Sequence, residues 1–298
     1  MPSEKRSRND PWYVRFALVG LTLGIVGLLI VLPLVNLFAQ AFAEGASAYW
    51  DSLASNADTR HSIFLTLMIA PVSVAFNTVF GVAAAWTIAR FRFPGRAILT
   101  TLIDLPFSVS PVVVGLLFVL LLGSNTPIGG WLLEHDYRVI FAPPGILLVT
   151  MFVTFPFVAR ELIPIFEAVG SEEEIAARSL GANGWQMFWH VTVPNIKWGL
   201  IYGIILCNAR AMGEFGAVAI VSGKIGGRTD TMPLQVQKLW EGQSNADTAA
   251  AFALASVLTL LSLVTLVVKV GVESKFREGQ IAPSKVSEPH IYSYNREL

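Results

Sequence analysis

The sequence is poor in charge and holds a single cysteine. Only 14% of its 298 residues are Asp, Glu, Lys or Arg, whereas soluble proteins average about 25%. Basic and acidic residues balance at a net charge of zero, so the chain lacks the basic footprint of nucleic-acid-binding proteins. We therefore expect no nucleic acid among its partners. The lone Cys207 excludes a disulfide within the chain, and we interpret it as a small buried apolar side chain.

The sequence also lacks the short motifs of common enzyme classes. It has no Gly-x4-Gly-Lys-Ser/Thr loop, no His-Glu-x-x-His and no Gly-x-Ser-x-Gly. Its histidines are too scattered to indicate a metal site: His61, His135, His190 and His290. We therefore expect no catalytic residue, metal or cofactor in this chain. If ATP drives its function, a partner chain must bind the ATP and Mg²⁺ and carry out the hydrolysis.

What the sequence does have is long apolar runs. Hydrophobic residues make up 54% of it, and a helix needs about 20 apolar residues to cross the hydrocarbon layer of a membrane. The pattern predicts an all-α membrane protein with a single membrane domain, residues 15–278. Its six transmembrane helices, spans 1–6, are predicted at about 15–41, 62–89, 97–122, 145–167, 198–222 and 248–270.

Lysine and arginine are concentrated in alternate loops, which predicts the orientation of the spans. Basic residues precede span 1, fill the loop between spans 2 and 3, occur between spans 4 and 5, and follow span 6. Because cytoplasmic loops carry the excess of Lys and Arg, both termini are predicted to be cytoplasmic, as is the loop at about 170–195. Span 1 is too long for the apolar region of a cleaved signal peptide. Residues 1–14 then form a cytoplasmic segment, and 279–298 are expected to be a disordered cytoplasmic tail.

The loop between spans 4 and 5, hereafter the 170–195 loop, is the one polar, helix-forming stretch between long apolar segments. Ser171 and Glu174 have the spacing of a capping box. Ala176 and Ala177 contribute to a small apolar face, and Gly181 stands where a first short helix would end.

A second short helix is predicted in the same loop. Trp185, Phe188 and Trp189 follow one another at i, i+3 and i+4, which gives an apolar stripe, and Pro194 is expected to stop this helix. Two short helices with one apolar face indicate a docking site for another protein. The alternative is an amphipathic helix on the lipid surface, but the acidic start of the first helix would be repelled by anionic lipid.

The 170–195 loop also carries a resemblance to a known family. The run Ile175-Ala-Ala-x3-Gly181-x9-Val191-x-Val193-Pro194 is similar to the E-A-A-x3-G-x9-I-x-L-P loop of ABC-importer permeases, except that Ile175 replaces the acid and Glu174 stands one residue early. The longer stretches from Leu180 to Asn195 and from Asn208 to Ala217 resemble the sulfate/thiosulfate importer permeases.

This resemblance implies the fold, the partners and one set of site residues. The fold would be that of a type I ABC-importer permease with a cytoplasmic coupling helix, in contact with membrane lipid. The partners would be a second homologous permease subunit, two ATP-binding-cassette ATPase subunits and a periplasmic sulfate-binding protein. The residues that would couple to the ATPase are Glu174, Ala176, Ala177, Gly181, Trp185, Phe188, Trp189 and Pro194.

Two charged residues are predicted within span 5. Arg210 lies about 12 residues into that span, near the bilayer midplane, and Glu214 lies one turn further on, where a continuous helix would place it on the same face. The pair could line the route of a small anion or contact the partner permease, or it could only neutralise itself and hold two helices together. Gly213, next to Glu214, would permit close approach of a helix or a substrate.

Span 3 carries two prolines five residues apart, Pro106 and Pro111. Proline removes an N–H donor and frees a carbonyl, and in lipid a freed carbonyl is tolerated only when buried in protein or lining a wet cavity. Ser108 and Ser110 could bond these carbonyls. We therefore predict a kinked helix that faces the transport path, with a purely structural kink as the alternative.

Three functions remain open on these residues. The first is a permease subunit of an ATP-driven importer for sulfate or thiosulfate, with molybdate or tungstate as alternative anions. The second is a secondary anion transporter working alone, which would favour inverted repeats with paired broken helices. The third is a membrane enzyme, which the missing motifs disfavour.

Overall fold

The computed structural model describes residues 12–242 and 244–281, and within them every regular element is a helix. The predicted N-terminal segment lies almost wholly outside the described residues, as does most of the predicted C-terminal tail. The last helix continues to Ile281, two residues beyond the start of the segment predicted to be disordered.

Thirteen α-helices and one π-helical turn make up the described chain. They are α1 (Trp12–Ala41), α2 (Ala46–Ala54), α3 (Ala57–Arg90), α4 (Arg96–Ser108), α5 (Pro111–Leu122), α6 (Pro127–Glu134), α7 (Pro143–Val169), α8 (Glu172–Ser179), α9 (Gly184–Met187), the π turn (Phe188–Thr192), α10 (Val193–Met212), α11 (Gly216–Val221), α12 (Met232–Glu241) and α13 (Asn245–Ile281).

Four of these helices are long and apolar enough to cross a membrane: α1, α3, α7 and α13. They correspond to predicted spans 1, 2, 4 and 6. The helices α4 and α5 form a fifth candidate only if the bent pair counts as one span. The predicted count of six spans is therefore not exactly confirmed, because spans 3 and 5 are each interrupted.

Span 3 is broken where the two prolines predicted a kink. The helix direction changes by 108° between α4 and α5, and Val109 is extended, with φ −101° and ψ 135°. A residue before proline is biased away from the helical region, and this bias at Ser110 favours ending α4 before Pro111, although α4 itself accommodates Pro106. Pro111 instead takes the first position of α5, where its missing N–H costs nothing. The kink is confirmed, and it is a complete interruption of the helix.

Span 5 is interrupted as well, which the sequence did not predict. The helix α10 ends at Met212, and Gly213, Glu214 and Phe215 are not helical before α11 begins at Gly216. The prediction that Glu214 continues the helical face of Arg210 is therefore wrong. Glu214 is buried, and its Oε1 accepts the N–H of Ala217 at 3.1 Å, so the carboxylate satisfies an otherwise unpaired donor in the first turn of α11.

The described residues fall into two compact units that interleave along the sequence. The first contains the residues up to Met68, with Gly115–Ile146 and Gly213–Leu261. Its core joins α2, α12 and α13 through residues such as Leu53, Met232 and Leu254. Inside it, the hydroxyls of Tyr49 and Ser256 lie 3.1 Å apart.

The second unit contains Ile69–Val114, Leu147–Met212 and the described residues from Ser262 onward. Within it Asn77 of α3 donates to the carbonyl of Met151 at 3.1 Å and to Thr154 Oγ1 at 2.8 Å, both on α7. The Cys207 thiol of α10 donates to the carbonyl of Thr154 at 3.5 Å. Cys207 is buried as predicted, and it takes part in a polar contact that ties α10 to α7.

Candidate functional site

The 170–195 loop lies wholly within the second unit, and its first helix ends as predicted. The helix α8 stops at Ser179, and Gly181 has a φ of +91°. The N–H of Gly181 bonds the carbonyl of Arg178, and the N–H of Ala182 bonds the carbonyl of Ala177, both at 3.0 Å. This is the Schellman arrangement, in which a left-handed glycine closes the helix.

The predicted capping box at the start of α8 is wrong. Ser171 is the N-cap residue, but its side chain makes no cap hydrogen bond. Glu174, the intended partner, is turned inward and is 9% exposed. Its carboxylate is held by side chains from other helices, and these contacts replace the local cap.

Arg90 holds the Glu174 carboxylate. Its Nε lies 3.1 Å from Glu174 Oε2, and the two side chains are only 9% and 11% exposed. Arg90 Nη1 donates to the carbonyl of Phe166 at 2.7 Å, and the guanidinium lies 5.5 Å from the centre of the Phe166 ring. Thr192 Oγ1 donates to Glu174 Oε1 at 3.0 Å. Arg90, the last residue of α3, thus joins the end of α7 to a buried carboxylate of α8 that also binds the π turn. These contacts are hereafter the Glu174 clamp.

The second helix of the loop has a capping box that the sequence analysis missed. Asn183 Oδ1 accepts the N–H of Gln186 at 2.8 Å, and Gln186 Oε1 accepts the N–H of Asn183 at 3.0 Å. The spacing N-x-x-Q, with Asn in place of Ser or Thr, was the available signal.

Pro194 does not stop this second helix, contrary to the prediction. The helical run continues from α9 through the π turn into α10, with Pro194 as the second residue of α10. The N–H of Val193 reaches back five residues to the carbonyl of Phe188. Proline inside an ordinary α-helix clashes with the carbonyl four residues earlier, and a π turn is a wider turn that carries one extra residue. We attribute the continuity of the run to this wider turn.

The 170–195 loop exposes an apolar face, hereafter the loop apolar face. Its members are large and solvent-facing: Ile175 at 60%, Leu180 at 89%, Trp185 at 71% and Trp189 at 50% exposed. Phe188 is half-buried and lies 5.9 Å from the ring of Trp86, so the predicted stripe is only partly free. Ala176 is exposed and Ala177 half-buried.

The predicted path residues lie at the two helix interruptions. Ser108 is the last residue of α4 and is exposed, Ser110 is exposed within the break, and Pro111 begins α5. Among the described residues, neither hydroxyl bonds the carbonyls freed by the prolines. Arg210 is half-buried in the last turn of α10, and Gly213 is exposed in the turn that follows.

Sequence reasoning missed two further ion pairs of the second unit, both between α4 and α7. Arg96 lies 2.8 Å from Glu167, and Arg160 Nε lies 3.3 Å from Asp104 Oδ1. Arg160 ends the uncharged run that begins at Val139 and still lies inside predicted span 4, and this was the signal that could have marked it.

The first unit holds a cavity of about 960 Å³ lined mainly by the loops after α5, α6 and α11. His61, Arg138 and Arg228 are among its lining residues, which gives it basic character. The loop after α11 is anchored by Lys238, whose Nζ lies 3.3 Å from Asp230 and 3.6 Å from Asp58.

The sequence of the chain is similar to those of known transport proteins. The family model described as "Binding-protein-dependent transport system inner membrane component" matches residues 77–278. The chain is 48% identical over 255 residues to the sulfate transport system permease protein CysW of Escherichia coli strain K12, covering 86% of each chain. It is 37% identical over 248 residues to the permease protein CysT of the same strain, covering 83% of this chain and 88% of that one.

A solved structure has the same fold. A bacterial ABC transporter involved in the import of the acidic polysaccharide alginate superposes with a TM-score of 0.70 at 18% identity, over 91% of this chain and 96% of the other. At that identity the likeness concerns the fold alone. The predicted all-α fold of an ABC-importer permease is confirmed.

Proposed function

This chain belongs to the family of binding-protein-dependent transport system inner membrane components, and on that premise we propose that it carries sulfate or thiosulfate as one permease subunit of an ATP-driven importer. It is a multi-pass membrane subunit of a transport system and not an enzyme. The anion is inferred from the sulfate permeases it resembles, and molybdate and tungstate are the alternatives.

The observation that carries the proposal is the 170–195 loop. A docking element must offer an apolar surface to its partner and be joined firmly to the part it moves. The loop apolar face supplies the first property, with Leu180 and Trp185 mostly exposed. The Glu174 clamp supplies the second, because it joins α8 to the ends of α3 and α7 through Arg90.

The proposed mechanism is mechanical coupling. An ATPase subunit binds the loop apolar face and moves as it binds and hydrolyses ATP, with Mg²⁺, in its own chain. Because α8 is clamped to α3 and α7, and the π turn continues into α10, a displacement of the loop moves all three helices together. The helices then alternate between two arrangements, and the anion passes along the side chains that they expose.

The remaining parts of the importer follow from the same proposal. The 170–195 loop and both termini face the cytoplasm, as the basic residues predict. A second homologous permease completes the membrane channel; the long apolar helix α1 has only Ala41 buried, so the rest of its surface is left for lipid and for this subunit. Two ATPase subunits bind on the cytoplasmic side, and a sulfate-binding protein delivers the anion to the loops predicted to be outside, some of whose residues line the cavity with Arg138 and Arg228.

Purification with partners tests the proposal. The tagged chain is extracted in mild detergent, and the proteins that stay attached are identified by mass spectrometry. We expect a second permease and an ATPase.

The purified complex is then placed in liposomes with its binding protein, and labelled sulfate uptake is measured with and without ATP and in competition with molybdate and tungstate. ATP-independent uptake by this chain alone in an ion gradient would instead establish a secondary transporter.

A further inference from the structure

We propose that Arg160 of α7 binds the transported anion in the cytoplasmic half of the path, and that Asp104 of α4 is its counter-ion when no anion is present. This inference rests on the proposed import of an oxyanion. It assigns an anion-binding residue to a region of the path where sequence reasoning placed only Ser108 and Ser110.

The position of the pair puts it inside the membrane. Arg160 lies nine residues before the end of α7 at Val169, and Asp104 lies eight residues after the start of α4 at Arg96. At 1.5 Å per residue these distances are about 14 Å and about 12 Å. These are lengths along the helix axes, and both helix ends adjoin the loops predicted to be cytoplasmic, so the predicted orientation places the pair in the inner half of the bilayer.

The exposure of the pair argues against a lipid environment. Within the single chain the Arg160 side chain is 56% exposed and the Asp104 side chain 33%. A charged side chain at this depth is costly in hydrocarbon, and such residues face a water-filled cavity or another protein chain. The exposed end of α4 at Ser108 lies one helical turn after Asp104, and the break at Val109 and Ser110 follows it. Non-helical backbone at membrane depth likewise requires protein or water beside it, so both features indicate that this part of α4 faces protein or water and not lipid.

The contacts of Arg160 leave it able to bind an anion. Its Nε faces Asp104 Oδ1 at 3.3 Å, and its guanidinium lies 5.8 Å from the centre of the Phe107 ring. A guanidinium has five N–H donors in a planar fork that suits two oxygens of one oxyanion. One monodentate carboxylate uses only part of this capacity. A dianion that binds side-on takes the remaining donors, and repulsion between the two negative charges then displaces Asp104. Asp104 reclaims the arginine when the anion leaves.

A second ion pair keeps the two helices together during this exchange. Arg96 and Glu167 join α4 and α7 at 2.8 Å near their cytoplasmic ends, about two turns from the Arg160–Asp104 pair. The helices therefore do not depend on Arg160 for their contact, and its partner can change. An exposed pair such as Arg160 with Asp104 contributes little to stability, so a purely structural role accounts poorly for placing both charges in the membrane.

Chemical restoration of charge tests the role of Arg160. The native thiol Cys207 is buried, so the Arg160→Cys variant of the whole complex presents one new reactive thiol. We expect its ATP-driven sulfate uptake to fall by about tenfold or more, the loss expected for one charge-assisted hydrogen bond. Treatment with 2-aminoethyl methanethiosulfonate, which adds an ammonium group, should raise uptake several-fold above that of the untreated variant. Methyl methanethiosulfonate, which adds a neutral group, should restore none. The matched control is Leu102→Cys, on the same helix as Asp104 and 57% exposed, which should transport normally under both reagents.

Protection of a probe thiol tests anion binding directly. In inside-out vesicles Ser108→Cys should react with an impermeant sulfonate reagent, and sulfate should slow that reaction severalfold. The protection should vanish when Arg160→Gln is added, and it should need less sulfate when Asp104→Asn is added. Uptake by Arg160→Cys at the unmodified rate, equal rescue by both reagents, or sulfate protection that survives Arg160→Gln would each overturn the assignment. Absence of sulfate uptake by the unmodified complex would instead overturn the proposed function.

Discussion

Arg90 and Glu174, 84 residues apart in the sequence, form a buried ion pair with 3.1 Å between Nε and Oε2. The pair joins the last residue of α3 to the first turn of α8. Two further bonds extend it, from Arg90 to the carbonyl of Phe166 and from Thr192 to the carboxylate. The helix proposed to dock the ATPase is therefore fixed to the membrane helices by side chains as well as by its own backbone.

Removing one member of this pair should uncouple transport. Arg90→Ala leaves the Glu174 carboxylate buried without its cation, a change that costs about 3–5 kcal/mol at a buried pair. We expect the 170–195 loop to detach from α3 and α7, so that ATP hydrolysis continues but sulfate uptake in proteoliposomes falls by about tenfold or more.

The control for this prediction is Glu172→Gln, an exposed carboxylate in the same turn of α8, which should leave uptake unchanged. Arg90→Lys should retain part of the uptake because it keeps the charge but not the planar fork. Equal uptake by Arg90→Ala and the unmodified complex, at equal amounts of assembled protein, would contradict the clamp.

Substitutions at Gly181 should act by straining the backbone angle and not by clashing with neighbouring atoms of this chain. Its φ is +91°, and a Cβ placed there meets no atom within 4 Å. Gly181→Ala should strain the turn by about 1 kcal/mol or more, and Gly181→Val by more because β-branched residues tolerate positive φ least. Gly181→Asn should be the mildest change, since Asn adopts left-handed conformations more readily.

The measurement is ATP-driven uptake together with the amount of ATPase that co-purifies. We expect uptake in the order Gly, Asn, Ala, Val at position 181. Gly181→Asp should abolish uptake while the protein still inserts in the membrane, because it also adds a charge beside the exposed Leu180 of the loop apolar face. An order set by side-chain volume alone, with Asn below Ala, would show that space at the partner surface decides the outcome.

The apolar composition of the sequence was enough to predict the membrane class and four of the long helices, because a run of about 20 uncharged residues has few other uses. The break in span 3 was predictable because Pro111 restricts the residue before it. The break at Gly213–Phe215 was not, because no proline marks it, and the contact of Glu214 with the N–H of Ala217 is a glutamate cap that the usual Ser, Thr, Asp or Asn signal does not reveal.

The 170–195 loop, like the fold, was predictable from the sequence only in part. The end of α8 at Gly181 followed from a local rule, and so did the apolar side chains of Trp185 and Trp189. The inward turn of Glu174 did not, since its partner Arg90 stands at the end of another helix and appeared in the sequence only as a basic loop residue. Local patterns thus located the dock, and long-range packing decided which of its residues face the partner.

The loop apolar face should contribute to binding of the ATPase and not to the stability of this chain. Trp185→Asp and Leu180→Asp each place a charge on a side chain that is 71% and 89% exposed, so neither should disturb packing within this chain. Each should weaken binding to the ATPase, because exposed aromatic and apolar residues at a dock carry much of the binding energy.

Co-purification in mild detergent is the measurement here, with thermal unfolding of the isolated chain as the companion. We expect the recovered ATPase to drop several-fold while the unfolding temperature stays within about 2 °C. Met187→Asp is the contrasting variant, since Met187 is 2% exposed and its change should lower the unfolding temperature. Undiminished ATPase recovery with both surface variants would show that the ATPase binds a different surface.

The polar contact at Asn77 should stabilise the second unit by joining α3 to α7. Its amide donates to the carbonyl of Met151 and to Thr154 Oγ1, and interhelical hydrogen bonds in membranes contribute about 0.6 kcal/mol on average, up to about 1.7. Asn77→Leu should therefore lower the free energy of unfolding modestly. Thr154→Val should do the same, and the double variant should cost less than the sum of the two, because both single changes remove the same bond. Denaturation in mixed micelles measures the change in the free energy of unfolding for the two single variants and the double variant. Strict additivity would show that Asn77 and Thr154 act independently.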